Sequence, residues 1–282
     1  MKSDFRHICA RHGSKRADAR LIGIFLCDDC ANLLLEKALN KISPTYENLE
    51  IEGFCAFCLE KKKVKQRFYY LCETCERIIR SYGVEKAASS FILAKWQRLV
   101  KTVPELGFIV LEQTDPVEPM TYEAHRKAKS DPSRESRPDF IGRHQSTGQI
   151  IFAIEMKTGR NAISAMSAFQ LDVTDCDDIL SFIKRLRCPT YLFHVQVLPD
   201  YLPPTERYVG IKAWWASVFD MEKCFRQTRI RYRERRPAAY YDKKCFDTAE
   251  TFPTHILSEG FKKMEDEIKR RLPVLYVLRN KK

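Results

Sequence analysis

Three charged residues, Asp139, Glu155 and Lys157, are of types that could carry out hydrolytic chemistry, and they lie close together in the chain. Asp139 belongs to the segment PDFIG, and Glu155 and Lys157 end the segment QIIFAIEMK. The polar residues RHQSTG between these segments predict a turn, so the whole stretch predicts a β-hairpin. Charged groups on an otherwise apolar strand need a compensating partner, because burying an unpaired charge is costly.

The alternation of side chains along the second strand predicts which groups meet. Glu155 and Lys157 project from the same face, since successive side chains point to opposite faces. The strand is otherwise apolar on both faces, which is typical of a central, buried strand. Asp139, on the partner strand, is expected near Glu155. Converging carboxylates need positive charge between them, and Mg²⁺ prefers one or two carboxylates with waters and phosphate oxygens. Lys157 could orient or deprotonate a water, or stabilise developing charge.

The local pattern alone is not specific. The same Asp/Glu-x-Lys triplet occurs at three other places in the chain, namely Glu60–Lys62, Asp242–Lys244 and Glu267–Lys269. Only Glu155–Lys157 ends an apolar strand after a predicted hairpin. The competing interpretation is an exposed hairpin end with a surface ion pair, or a fold that has lost its activity.

Pro138-Asp139, fifteen residues, then Glu155-Met156-Lys157 resembles the PD-(D/E)xK nuclease superfamily, which includes many type II restriction endonucleases. In that family the motif lies on a hairpin that is followed by a helix and another strand. Residues 137–198 fit this order, which is about a fifth of the 282 residues. The resemblance implies Mg²⁺-dependent hydrolysis of a phosphodiester.

The same resemblance implies roles for individual residues. Asp139 and Glu155 would be metal ligands, the Met156 carbonyl a third ligand, and Lys157 the group that assists the attacking water. Relatives with a glutamine on the next helix suggest Gln170 as a further catalytic candidate. Relatives with an acidic residue on an earlier helix suggest Glu123.

Eight metal-binding side chains form two similar clusters in the first 75 residues. The second cluster repeats the first at offsets of 46, 46, 45 and 45 residues. Two ligands separated by two residues fit one tight turn, and two such turns complete a closed tetrahedral zinc shell. Each copy continues into a helical pattern, as in a treble-clef or zinc-ribbon module. The ligands are Cys9, His12, Cys27 and Cys30 in the first copy, and Cys55, Cys58, Cys72 and Cys75 in the second.

This spacing predicts two structural Zn²⁺ ions per chain. We expect each copy to bind one ion through its own four ligands, with a cross-braced sharing between copies as the alternative. Isolated cysteines are more often small buried hydrophobic residues than metal ligands. The four that lie alone are interpreted as core or surface residues, namely Cys176, Cys188, Cys224 and Cys245. Clustered cysteines of this kind indicate metal binding in a reducing compartment rather than disulfides.

Composition narrows the class of protein. Apolar residues make up 44% and charged residues 30% of the 282 residues, which is typical of a soluble globular chain. No stretch approaches the ~20 apolar residues of a membrane helix, and the first residues lack the apolar core of a signal peptide. The interpretation is a cytoplasmic protein with no membrane partner. A formal net charge of +12 favours an anionic partner such as nucleic acid.

Part of this positive charge is concentrated near the end of the chain. Residues 223–244 contain nine Lys+Arg and two Asp+Glu, a net charge of +7. In the segment RIRYRER the arginines alternate, so in a strand Arg229, Arg231, Arg233 and Arg235 would share a face suited to phosphates and guanine edges. A solvated basic surface is the alternative. The DNA-binding candidates are Arg226, Arg229, Arg231, Arg233, Arg235 and Arg236.

The predicted architecture follows from the order helix, hairpin, helix, strand. It is an α/β or α+β fold with a restriction-endonuclease-like core, a mixed β-sheet flanked by helices, and tandem zinc modules before it. We expect a zinc region over residues 1–83, the core over 84–222 and a basic, core-completing, DNA-contacting segment over 223–282. Helices are predicted at 118–130 and in NAISAMSAFQL, and a strand in PVLYVLR.

The function predicted from these features is a Mg²⁺-dependent DNA endonuclease. A sequence-specific type II restriction enzyme is the first choice, with double-stranded DNA as partner and a homodimer as the working form. The alternatives are a structure-guided nuclease of repair, recombination or transposition, and a nucleic-acid-binding adaptor that does not cut.

Overall fold

The structure is a computed structural model, and it describes residues 7–35, 50–58, 60–114, 136–159, 161–197, 211–231 and 236–277. The predicted helix at 118–130, with Glu123, lies outside these residues, as do Arg233 and Arg235. The described residues through Ser90 form one compact unit, and those from Phe91 onward form a second. Among the described residues, no helix combines the length and apolar character needed to cross a membrane.

The first unit is built around a three-stranded antiparallel sheet with strand order β3-β5-β4, and a separate two-stranded ladder, β1-β2. Helices α1 and α2 begin directly after Cys27 and Cys72, so each predicted helix does start at the last ligand pair of its copy. α2 continues past Ser90 into the second unit. The elements are β1 (His7–Ile8), β2 (Lys15–Arg16), β3 (Arg20–Leu26), α1 (Asp28–Leu35), β4 (Glu50–Phe54), β5 (Lys61–Leu71) and α2 (Glu73–Thr102).

The second unit contains two sheets and several helices, and short 3₁₀ turns join some of these elements. In chain order, its strands and helices are β6 (Ile109–Gln113), β7 (Phe140–His144), β8 (Ile150–Gly159), β9 (Phe169–Asp172), α3 (Val173–Leu186), β10 (Thr190–Gln196), β11 (Lys212–Ser217), α4 (Val218–Lys223), β12 (Phe225–Ile230), β13 (Pro237–Tyr241), β14 (Asp247–Thr248), α5 (Phe252–Ile256) and α6 (Glu259–Arg270).

The larger sheet has six strands in the order β14-β11-β10-β8-β7-β6. It is mixed, because β8 pairs antiparallel with β7 and parallel with β10. β8 lies in the interior of the sheet and is apolar on both faces, with Phe152, Ala153 and Ile154 buried. The ring of Phe152 packs edge-on against Trp96 of α2 and Phe252 of α5. The predicted mixed α/β class and the central position of this strand are confirmed.

A second sheet of three antiparallel strands, β12-β13-β9, joins the basic C-terminal segment to the core.

Three local predictions are wrong. NAISAMSAFQL forms a short 3₁₀ turn and then β9, because Phe169 to Asp172 pair with β13 instead of continuing a helix. PVLYVLR forms no strand over its described residues. The arginine-rich strand ends at Ile230, so Arg231 does not share a strand face with Arg229.

Candidate active site

The hairpin brings Asp139 beside Glu155. Asp139 directly precedes β7, and the register pairs Phe140 with Ile154, so the next positions along the two antiparallel strands are Asp139 and Glu155. The backbone N–H of Met156 donates a 2.6 Å hydrogen bond to Asp139 Oδ2. This bond fixes the Asp139 carboxylate at the end of the hairpin where β8 carries its two charged side chains.

Lys157 lies between two carboxylates. Its Nζ is 2.8 Å from Glu155 Oε1 and 3.2 Å from Asp175 Oδ1. Asp175 is in the first turn of α3, where acidic side chains are favoured by the helix dipole. Asp175 was not among the residues predicted from the sequence, because its position relative to Lys157 depends on how α3 returns to the sheet.

The electrostatics of the site show a shortage of positive charge. Burial and the nearby charge of Asp139 raise the pKa of Glu155 to about 8, even though Lys157 acts in the opposite direction. Burial alone would lower the pKa of Lys157, but the carboxylates of Glu155 and Asp175 outweigh it and raise that pKa. Over the described residues, the site combines partly buried carboxylates with the one cation Lys157, which fits a hard divalent ion that would supply the missing charge. Asp139 and Glu155 are the residues that would hold it.

A stability measurement can test this shortage of charge. A carboxyl group whose pKa rises on folding from 4.5 to about 8 stabilises the folded state fully below pH 4.5, and that contribution is lost as the pH rises through about 8. In metal-free buffer, Glu155→Gln should therefore become progressively more heat-stable than the wild type as the pH rises from 4.5 to about 8.

Calorimetry of both proteins across this range measures the difference. Added Mg²⁺ should reduce it by stabilising the wild type. Glu267→Gln, at a partly exposed position of α6, is the matched control and should follow the wild type. If the melting temperatures of Glu155→Gln and the wild type changed with pH in the same way, the raised pKa of the Glu155 carboxyl would be contradicted.

The remaining catalytic candidates occupy different positions. The Met156 side chain is buried, and its backbone N–H contacts Asp139. Gln170 is exposed on β9 and lines a cavity of about 490 Å³ that also borders Lys157 and Asp175. Thus Gln170 is brought into the vicinity of Lys157, although from a strand and not from the predicted helix.

His194 on β10 is a further residue of this cavity that was not predicted from the sequence. It pairs in register with Lys157, and its Nε2 donates a 2.8 Å hydrogen bond to the carbonyl of Asn161. Burial lowers the pKa of His194. A Cβ atom at Gly159 would lie 2.6 Å from the His194 ring, so this position requires glycine. From the sequence, TYLFHVQVL predicted a strand that contains His194, but nothing predicted that this strand would place the histidine at the site.

The eight predicted zinc ligands form two groups of four. In each group the candidate donor atoms all lie within 4.8 Å of one another, close to the ~3.8 Å sulfur–sulfur separation implied by tetrahedral Zn–S bonds of about 2.3 Å. In the first group, His12 Nδ1 is 3.4 Å from Cys75 Sγ and His12 Nε2 is 3.8 Å from Cys72 Sγ. The two groups are Cys9, His12, Cys72 and Cys75, and Cys27, Cys30, Cys55 and Cys58.

The expected consecutive pairing is therefore wrong, and the arrangement is nested. β3 and β5 run antiparallel with Arg20 opposite Leu71 and Leu26 opposite Lys65. The start of β3 consequently meets the end of β5, which joins the first ligand pair to the last. The end of β3 meets the β4–β5 turn, which joins the two middle pairs. The alternative prediction, that the two copies share their sites, is correct in that each ion would be bound by ligands of both copies. The order differs, because a cross-braced arrangement would join the first pair to the third and the second to the fourth.

Hydrogen bonding within each cluster favours the thiolate at one cysteine, while the same interaction and burial raise the pKa of its partner thiol. Interaction with the Cys75 thiol lowers the pKa of Cys9 to about 4, and interaction with the Cys30 thiol lowers the pKa of Cys55 to about 5. Backbone N–H groups of Cys72 and Cys27 also point at these sulfurs, each at 3.4 Å. Each cluster thus holds negative charge in a buried setting, which fits zinc.

The candidate DNA-binding arginines differ in how they are engaged. Arg229 and Arg236 are exposed. Arg226 is exposed too and forms a 2.8 Å ion pair with Asp242. Arg231 is partly buried and lies 3.3 Å from Asp172, so it contributes to packing between β9 and the end of β12. These positions support a phosphate-binding role for Arg229 more strongly than for Arg231.

Replacing Arg229 and Arg231 separately should therefore give different results. Arg229→Ala should leave the melting temperature unchanged and reduce the salt slope of DNA binding by about 0.9, the value for one lost phosphate contact. Arg231→Ala should lower the melting temperature, because it leaves the Asp172 carboxylate without its partner. Binding titrations at several salt concentrations, together with calorimetry, separate the two. An unchanged slope for Arg229→Ala would assign it to a solvated surface.

The sequence and structure were compared with protein families, curated proteins and solved structures. No family model, no curated protein and no solved structure matches it.

Proposed function

We propose that this protein is a Mg²⁺-dependent DNA endonuclease of the PD-(D/E)xK type. The observation that carries the proposal is the placement of Asp139, Glu155 and Lys157 at one end of the β7–β8 hairpin. After the intervening short strand β9, helix α3 and strand β10 follow, and β10 lies parallel to β8. This is the order of elements that the family resemblance implies around its motif. The unfavourable grouping of carboxylates also supports it, since strained charges cluster at functional sites.

In this proposal Asp139 and Glu155 hold the metal, with the Met156 carbonyl as a third ligand. Mg²⁺ held by these residues would supply positive charge near the phosphate and make the attacking water more acidic. Lys157 keeps its proton at neutral pH because the neighbouring carboxylates raise its pKa. It therefore orients the water and stabilises charge on the phosphate, and does not act as the base. Asp175 holds the ammonium group in place.

The basic C-terminal segment supports DNA as the substrate. Arg226, Arg229 and Arg236 place exposed positive charge on or next to strands β12 and β13, and β13 pairs with β9, which leads into α3 and Asp175. Contacts of this kind position DNA without reading its sequence. More specifically, we propose a type II restriction enzyme that acts as a homodimer on double-stranded DNA.

Incubation of the purified protein with several long DNAs and Mg²⁺ tests the proposal. Discrete fragments would support a sequence-specific enzyme. A smear would support a nonspecific or structure-guided nuclease, the second form of the activity. Absence of cutting on all duplex, single-stranded and branched DNAs would leave the non-cutting adaptor. Omission of Mg²⁺ should abolish any cleavage, and cutting in the presence of a chelator would contradict the assigned metal site.

A further inference from the structure

The cavity beside Lys157 has no role in the chemistry described above. It has a volume of about 490 Å³, and Lys157 and Asp175 are among its lining residues. A volume in the range of about 300–1,000 Å³ suits an organic ligand and exceeds what a phosphate group alone requires. An occupant of this cavity would thus lie directly next to the proposed reacting phosphate.

The chemistry of the cavity wall indicates a neutral ligand that forms hydrogen bonds. Among the described residues that line it, the charged side chains are Lys157 and Asp175, which are 3.2 Å apart and compensate each other. Elsewhere the wall offers the amides of Asn161 and Gln170, the hydroxyl of Ser167 and the apolar side chain of Met166. Amides both donate and accept, and thioethers pack favourably against aromatic rings. A nucleobase combines these requirements.

Two cations of the C-terminal segment contact the loop that forms one wall of the cavity. Lys243 Nζ donates a 2.9 Å hydrogen bond to the carbonyl of Ser164, and Arg226 Nη1 lies 3.5 Å from the carbonyl of Ser167. Both cations are exposed, and because Arg226 also pairs with Asp242 at 2.8 Å, Lys243 is the stronger candidate for a phosphate contact. A neutral interior with exposed cations on its wall complements a neutral base joined to anionic phosphates.

We propose that this cavity receives one unpaired nucleotide adjoining the phosphate to be cut. A base inside a paired duplex cannot enter a protein cavity without leaving the stack. The inference rests on the proposed function and specifies its substrate: DNA with a nucleotide out of the helix at the cut, whether from a bulge, a single strand or a nucleotide extruded by the protein.

A binding experiment in the full-length Glu155→Gln background tests this without cleavage. The probe is a DNA duplex with one bulged 2-aminopurine nucleotide, compared with the same duplex fully paired, in Mg²⁺. Bulged DNA should bind at least about tenfold more tightly, since the unpairing cost has already been met. The 2-aminopurine emission should change on binding, as the base moves into the cavity. Single-stranded DNA and free deoxynucleotide as competitors distinguish a strand from a mononucleotide ligand.

Ala165→Trp, at an exposed position in the cavity wall, should remove the preference for bulged DNA. Ala94→Trp, at an exposed position on α2 outside the cavity, is the matched control and should keep it. Ser167→Tyr fills the cavity from a second position if the first variant does not fold.

Equal affinity for bulged and paired DNA, or a preference that persists in a folded cavity-filled variant, would overturn the inference. The two proposals fail separately. Wild-type protein that cuts paired DNA but ignores the bulge would refute only the cavity. Protein that binds the bulge but cuts no DNA would refute only the nuclease.

Discussion

Replacing Glu155 with Gln or Lys157 with Met should reduce Mg²⁺-dependent DNA cleavage by roughly 10²–10⁴-fold each, the range for loss of one positioned catalytic group. The first change removes a charged metal ligand, and the second removes the cation that orients the water and meets charge on the phosphate. DNA binding should survive in both. In Glu155→Gln it should be unchanged or stronger in metal-free buffer, because a negative charge near the phosphate has gone.

The chain supplies its own control for this experiment. Glu267 and Lys269 form the same triplet on the solvent-facing side of helix α6, where Lys269 pairs with Glu265 at 3.1 Å and Glu267 pairs with Arg271 at 2.6 Å. Glu267→Gln and Lys269→Met remove the same charges from the protein, so any effect of net charge on DNA affinity cancels in the comparison. Surface pairs of this kind contribute about 0–1 kcal/mol, so cleavage should stay at the wild-type rate. Cleavage retained in the Glu155 variant would place the active site elsewhere.

What could be predicted from sequence was local. The hairpin, the central strand β8, the later part of α3 and strand β10 follow from short apolar runs whose periodicity is set by burial on one or both faces. The positions of Asp139 and Glu155 at the hairpin end needed only the antiparallel register. The helix predicted in NAISAMSAFQL failed because helical spacing over a few apolar residues does not outweigh pairing of Phe169 to Asp172 with β13.

What could not be predicted depends on contacts distant in the chain. Asp175 meets Lys157, and His194 lies against Gly159, only because α3 returns β10 to lie parallel to β8. No spacing rule relates residue 157 to residue 175. The cavity is harder still, since its lining comes from strands β8, β9 and β10, helix α3 and the loop before β9. Composition indicated an anionic partner but could not show that Arg226 and Lys243 contact that loop.

The zinc ligands show the same division between local and distant information. Their identity follows from the two-residue spacing, which fixes two donors on one turn whatever the rest of the chain does. Their pairing does not, because each turn can combine with any other. The antiparallel alignment of β3 with β5 decides it, by bringing the first turn to the last and the second to the third.

Double cysteine variants should distinguish the nested pairing from the consecutive one by opposite outcomes. The wild type should contain two zinc ions per chain, one for each cluster. Cys9→Ser with Cys72→Ser damages only one nested site, so one zinc should remain. Cys9→Ser with Cys27→Ser damages both nested sites, so zinc should be lost. Consecutive pairing would reverse these two results, because Cys9 and Cys27 would then share an ion.

Elemental analysis and native mass spectrometry of the folded proteins measure the zinc content directly. The expected effect is large, since a structural zinc site contributes about 10–16 kcal/mol of apparent binding free energy that is coupled to folding. Cys188→Ser, at a buried cysteine outside both clusters, is the matched control and should retain two ions. A wild type without zinc would contradict both pairings and leave the eight side chains as buried hydrophobic residues. Because all four ligands of each site come from the chain, no position remains open for substrate, and we expect zinc to stabilise the first unit without entering the cleavage chemistry.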